Sequence, residues 1–248
     1  MCLILLAYKV HPNFPLIVAA NRDEFHERPT SSAAFWPEYP DVLAGKDLKG
    51  KGTWLGITRP GRFAALTNYR DMSRPSVEGP SRGLLVRDLL LKDRAMTGTD
   101  VMEGFNLIYG PIDALRYHSN VSHIDQVLPV GFHGISNHFL DTPWPKVVIA
   151  GGRFERAMNS AQPDPEVLFE LLKDRSVAAD DELPETGVGL KWERVLSSAF
   201  IDAENYGTRC STVIMVDHSG QVFLEERTYA PDPLPPALFK FQIDLPAS

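Results

Sequence analysis

Apolar and polar positions alternate along this chain in short blocks. Residues 2–8 form an unbroken apolar run, the pattern of a strand buried on both faces. His11-Pro12-Asn13-Phe14-Pro15 reads as a turn, and a second apolar run begins at Leu16. The stretch 2–20 therefore predicts a hairpin, with the second strand reaching to about residue 22. Residues 26–50 are rich in Pro, Gly and polar side chains and read as a loop over one end of a sheet. Residues 53–58 and 62–68 flank Pro60-Gly61, which fits the centre of a type II turn, and predict a second hairpin. Residues 210–217 and 221–227, joined by His218-Ser219-Gly220, predict a third.

Helical spacing is confined to the middle of the chain. Ser81 is placed to cap a helix over 82–94 with Leu84, Leu85, Leu89 and Leu91 as its apolar stripe. A short helix is expected at 99–105 and short strands at 106–109 and 114–118. Helices are expected at 144–159 and 165–174, separated by Pro163 and Pro165, and again at 190–199 after an acidic loop at 176–189. The tail from about residue 231 carries five prolines and is expected to be irregular. No repeat or low-complexity linker divides the chain, so residues 1–248 are expected to form one domain. Hairpins at both ends with helices between them predict an α+β layering rather than alternating βαβ units.

Composition narrows the class. The chain has 248 residues, 44% of them hydrophobic and 23% charged, with a formal net charge of −7. These are globular values, and the acidic balance argues against a nucleic-acid partner. Two cysteines, Cys2 and Cys210, make no disulfide framework and suit a reducing compartment. No apolar run approaches a transmembrane segment. The apolar opening lacks the basic start of a signal peptide, and a cytoplasmic protein is expected. The seven histidines show no ligand spacing, and no metal is expected.

Cys2 is the residue with the most chemistry to offer. If Met1 is removed, Cys2 carries a thiol and a free α-amine together. The amine titrates near the thiol and can accept its proton, the arrangement of N-terminal nucleophiles. The alternative is a structural cysteine in a first strand.

Residues 16–24, Leu-Ile-Val-Ala-Ala-Asn-Arg-Asp-Glu, resemble the signature of the NRDE family, also called the transport and Golgi organisation protein 2 family. Gly52-Thr53-Trp54-Leu55-Gly56, residues 61–70 (GRFAALTNYR), Gly134-Ile135-Ser136-Asn137 and Thr208-Arg209-Cys210-Ser211-Thr212 match as well, so the resemblance runs from residue 1 to about 230. The family is similar in turn to cysteine N-terminal-nucleophile hydrolases of the penicillin V acylase and bile salt hydrolase type. The resemblance implies a four-layer αββα sandwich and attack on an amide or related acyl bond through a Cys2 thioester, with no cofactor required. It equally implies, for some members, haem trafficking, so a non-catalytic haem carrier or a lipid or acyl-ligand binder using the same pocket is the competing reading. Either way the partner is a small-molecule substrate or ligand.

The resemblance assigns expected roles. Asp23 orients the amine of Cys2. Asn68, after the strand 62–68, supplies an oxyanion donor, or else forms a turn. Asn137 matches a second polar position near the nucleophile, or else caps a loop. The hydrolases carry an Arg where this chain has Ala20. Arg22 lies on the same strand face and could replace it, lowering the thiol pKa, or could simply pair with Asp23 or Glu24. Arg209 corresponds to a late Arg that could hold Asp23 or a substrate carboxylate, or be an ordinary edge residue. Cys210 faces away and is assigned to the core.

Overall fold

Strand β1 (Cys2–Tyr8) has no exposed residue. Its side chains alternate, so it must be covered twice. Leu3, Leu5 and Ala7 enter one apolar cluster with Val147, Phe154, Leu168 and Phe169. Ile4, Leu6 and Tyr8 enter another with Leu43, Ile57, Phe63 and Ile108. A third cluster joins Ala64, Leu66 and Leu107 to Leu85, Val86 and Leu89. Three apolar interfaces define four layers.

The structure, a computed structural model, describes residues 2–92 and 94–244. One sheet has the order β10 (Gly131–Ile135), β1, β2 (Leu16–Phe25), β11 (Tyr206–Val216), β12 (Gln221–Thr228), β13 (Ala237–Gln242). The other has the order β3 (Thr30–Trp36), β4 (Tyr39–Asp47), β5 (Leu55–Thr58), β6 (Arg62–Asn68), β7 (Phe105–Pro111), β8 (Arg116–Ser119), β9 (Ile124–Val127). All strand pairs are antiparallel. Helices α2 (Pro145–Ala157) and α3 (Pro165–Leu172) cover the first sheet, and α1 (Arg82–Leu91) covers the second. A short α4 (Leu190–Leu196) follows. The expected α+β architecture, with two stacked sheets between helices, is the one observed.

The three expected hairpins form, but several local expectations are overturned. Residues 26–50 are not a loop: they contain β3 and β4. Their polar composition reflects a strand with one solvated side, since Thr30, Ser31 and Ser32 stand before the buried Ala33 and Trp36. No helix forms at 99–105. There the side chain of Asn120 accepts from Phe105 N–H and donates to the Thr99 and Met102 carbonyls, satisfying the turn from outside. The Pro-rich tail is not irregular throughout: Ala237–Gln242 pairs with β12 as β13. Helix α1 stops at Leu91, short of 94. Ser81 occupies its N-cap position, yet its hydroxyl makes no capping bond.

Candidate functional site

The ends of β1, β2 and β6, the start of α1 and the segments around Asp47 and Trp54 meet at one mouth between the two sheets. They enclose a cavity of about 300 Å³ lined by Cys2, Arg22, Asp23, Trp54, Asn68 and Arg82, among others. Helix α1 reaches this mouth through glycine contacts. A Cβ on Gly52 would lie 2.1 Å from the carbonyl carbon of Gly83, and Thr53 N–H donates to that carbonyl at 3.1 Å. Gly45 does the same for Trp54, whose ring would lie 2.3 Å from a Cβ there. The same ring carries the Arg22 guanidinium at 4.3 Å from its centroid.

The block 21–24 divides its duties by alternation. Asn21 points to the helix layer, where its amide donates to the carbonyls of Leu172 and Ala199 and its oxygen accepts from Ser211. It thereby closes the carbonyl end of α3. Arg22 points between the sheets, opposite Cys2 on β1. Asp23 returns to the helix side and is 1% exposed. Glu24 sits at the rim beside Arg22 and Arg28, at 3.9 and 3.7 Å.

Asp23 is fixed by Thr208. That hydroxyl accepts from Ile201 N–H at 2.9 Å, so its proton is directed to Asp23 Oδ1 at 2.7 Å. The contact depends on a bulge: Thr208 pairs with Asp23 and Cys210 with Arg22, leaving Arg209 as the extra residue of β11. The inserted residue reverses the alternation and puts Thr208 on the face of Asp23. Arg209 does not hold Asp23. Its guanidinium donates to the backbone carbonyls of Phe25, Arg28 and Ala230. It lines a second, much smaller pocket beyond the Arg22–Trp54 wall, with Cys210 and Glu226.

Cys2, Arg22, Asp23 and Asn68 are thus brought together, while Arg209 and Asn137 are not among the residues that line the cavity. Asn68 ends β6, half-buried, and its side-chain amide has no protein hydrogen-bond partner among the described residues. Asn137 stands behind it, fully buried, its amide donating to Asn68 O at 3.0 Å and its own carbonyl accepting from Arg70 N–H. Ser136, next to it, donates to the Cys2 carbonyl at 3.0 Å. Met1 lies outside the described residues, so its removal is not addressed by this geometry.

The lowering expected from Arg22 is outweighed at Cys2. Burial pushes the Cys2 thiol above its ordinary value and Asp23 adds to this, outweighing the opposite pull of Arg22. The same desolvation raises Asp23 and is opposed by Lys146 and by the Thr208 bond. Cys210 is raised well above the ordinary thiol range by burial and by Glu226, to which it donates at 3.5 Å. Cys2, Arg22 and Cys210 stand in one row across three strands. Two strand spacings of about 4.8 Å put the cysteines beyond disulfide reach, and both are free thiols.

Two charged features were not anticipated from the sequence. Arg70 and Glu193 form a buried ion pair at 2.9 Å, with the other Glu193 oxygen accepting from Thr186 N–H and Oγ1. Lys146, in the first turn of α2, is 3% exposed and its Nζ makes no hydrogen bond among the described residues. Its position in an amphipathic helix gave no sign of this. Burial pulls its amine down to about 8, against the partial support of Asp23. A proton held less tightly in the folded chain than in the unfolded one makes stability rise with pH, from about 8 up to the ordinary lysine value. The interval from 10.5 to about 8 corresponds to about 3 kcal/mol. Denaturant unfolding of the wild type minus that of Lys146→Met, measured from about pH 7.5 to 10.5, should show that rise; a flat difference would place the ammonium in a better solvated setting.

The sequence model of a family described as Transport and Golgi organisation 2 matches residues 1–231. Among curated proteins, the human Transport and Golgi organization protein 2 homolog is 34% identical, covering 92% of this chain and 93% of that protein. The mouse homolog is 32% identical over the same shares, and the Drosophila melanogaster protein is 28% identical over 94% of each chain. Among solved structures, a Caenorhabditis elegans N-acylethanolamine-hydrolyzing acid amidase ortholog is 12% identical with a TM-score of 0.46, covering 86% of this chain and 92% of its own.

Proposed function

The chain belongs to the Transport and Golgi organisation 2 family, and on that premise we propose that it is an amide or acyl hydrolase whose nucleophile is the Cys2 thiol. The observation that carries this reading is the cavity shared by Cys2, Arg22, Asp23 and Asn68, residues from three strands far apart in sequence. In this reading Met1 is removed, and the α-amine of Cys2 takes the thiol proton. The sulfur attacks the substrate carbonyl carbon, and the Asn68 amide donates to the resulting oxyanion. Collapse expels the amine, which takes the proton from the α-ammonium and leaves a thioester. The α-amine then draws a proton from water as it attacks the thioester carbon; collapse breaks the carbon–sulfur bond and releases the acid, and the α-ammonium returns its proton to the leaving sulfur. Asp23, held by Thr208, fixes the amine.

The raised thiol is compatible with this sequence of steps, because the nucleophile is made by proton transfer at the moment of attack rather than stored as thiolate. The cavity is at the lower end of ligand-pocket sizes. Its three arginines, Arg22, Arg28 and Arg82, stand among four carboxylates, Asp23, Glu24, Asp47 and Glu103, around the same mouth, a near balance that favours a small, nearly neutral acyl group. Of the described lining residues, Cys2 alone is of a type that ligates haem iron. Haem retention therefore has one candidate axial ligand and little room, and the acyl reading is the better supported.

The test is intact mass of the purified chain before and after exposure to a panel of short acyl amides and thioesters. The expected result is loss of Met1 and a transient acyl increment on Cys2. Retained Met1 with no increment from any donor, together with a thiolate-type Soret band on haem titration, would replace this reading with the carrier. Asn68→Ala should lower kcat about 10²–10³-fold with little change in KM. An equal loss confined to KM would make Asn68 a ground-state contact.

A further inference from the structure

We propose that Arg82 sets the specificity of the Cys2 cavity: its guanidinium receives a neutral acceptor oxygen, a ketone or a second amide carbonyl, carried by the acyl group beyond its reacting carbonyl. The inference deepens the acyl-transfer reading by naming a substrate class, oxygen-bearing acyl amides, and rests on that reading for its catalytic meaning.

The three arginines that line the cavity are not equally occupied. Arg28 is held by Asp47, with Nε and Nη2 at 2.9 and 2.6 Å from one carboxylate oxygen. Arg22 lies on the Trp54 ring, donates to Thr30 Oγ1 at 3.3 Å and stands 3.9 Å from Glu24. Arg82, half-buried, makes no ion pair among the described residues. Its hydrogen bond runs from Nη1 to the Gly104 carbonyl at 2.9 Å. Glu103, at the same mouth, is taken up by Ser76 Oγ and Val77 N–H at 2.7 and 2.8 Å. A guanidinium carries five N–H donors in a planar fork, so most of those on Arg82 are left for a ligand.

Its place in the fold adds to this. Arg82 opens α1, where a cation meets the positive end of the helix dipole. Ser81 gives no capping bond, and the N–H groups of Arg82 and Gly83 have no hydrogen-bond partner among the described residues. All three residues line the cavity. An acceptor oxygen there is drawn by the guanidinium and by the helix end together.

Gly104 sets the distance to the reacting centre. Its carbonyl accepts from Arg82 Nη1 and from Tyr69 N–H, both at 2.9 Å. Tyr69 directly follows Asn68, the donor assigned to the oxyanion. The guanidinium thus stands beside the end of β6, and an acyl group with its carbonyl at Asn68 extends toward it. The acceptor is neutral because four carboxylates already line the mouth against three arginines. A carbonyl oxygen takes a charge-assisted bond without adding negative charge.

The experiment measures how well amides protect Cys2 from iodoacetamide, read by mass. The ligands are pentanamide, its 3-oxo and 4-oxo analogues, and the monoamide of pentanedioic acid. Protection needs no turnover, so failure of the hydrolase reading and failure of this one are separate results. In the wild type at least one oxo analogue should protect at about 10-fold lower concentration than pentanamide, the size of a hydrogen bond to a charged group. Arg82→Met should bring the oxo analogues to within about twofold of pentanamide. Arg82→Gln, which can keep a donor for the Gly104 carbonyl, should do the same if Arg82→Met does not fold. An arginine that only braces Gly104 would, when replaced, weaken every amide in proportion and leave the preference intact. That outcome, no preference for an oxo analogue in the wild type, or a stronger preference for the carboxylate-bearing monoamide, overturns the proposal.

Discussion

Replacing Cys2 by Ala is expected to abolish acyl transfer, with kcat/KM reduced by about 10³-fold or more, because the thiol that forms the covalent intermediate is gone. Cys2→Ser should do nearly the same. The hydroxyl is a much weaker nucleophile at neutral pH, although the volume and the strand are preserved. Both variants should fold normally, since residue 2, though buried, lines the cavity and is not a member of the apolar clusters that hold the layers together. Both should also lose thiol-probe labelling near neutral pH. Cys210 is the internal control: it is buried, hydrogen-bonded to Glu226 and raised well above the ordinary thiol range, so it should stay unlabelled in the native chain. Turnover that survives Cys2→Ala, with both cysteines labelled at equal rates, would leave the hydrolase reading without its nucleophile.

The second large effect falls on stability. Arg70→Met should cost about 3–5 kcal/mol, because it leaves the Glu193 carboxylate buried without its cation. For a chain of this length that is a fall of roughly 10 °C in Tm. The double variant Arg70→Met with Glu193→Leu should recover much of the loss, since two apolar groups carry no desolvation penalty. The consequence extends to the site. Arg70 donates its N–H to the Asn137 carbonyl, and Asn137 in turn holds the Asn68 carbonyl. Loosening this corner should therefore slow the Asn68-dependent step as well. A cost under about 1 kcal/mol in chemical denaturation would show that water reaches Glu193 when Arg70 is gone.

The strands and helices that bury one or both faces were legible in the chain, because apolar spacing is a local signal. Residues 2–8, 16–22, 53–58 and 62–68 read as strands and are strands. The signal disappeared where a strand is half solvated or polar, as in β3, or where a Pro-rich segment pairs at a sheet edge, as in β13. The helix expected at 99–105 failed for the converse reason, since the bonds that shape this turn come from Asn120, a side chain remote in sequence.

For the site, the sequence by itself determined the identity and rough grouping of Cys2, Arg22, Asp23 and Asn68, because they sit at strand ends within recognisable blocks. It could not determine which carboxylate contacts belong to which arginine. The bulge at Arg209 inserts one residue into β11, exchanging Thr208 for Arg209 as the partner of Asp23. It could not determine that burial pushes the Cys2 thiol up, because desolvation depends on the layers that close over it. Nor could it single out Lys146 from the other lysines of the chain. Its burial is a property of how α2 packs on the first sheet, which no spacing along the chain expresses.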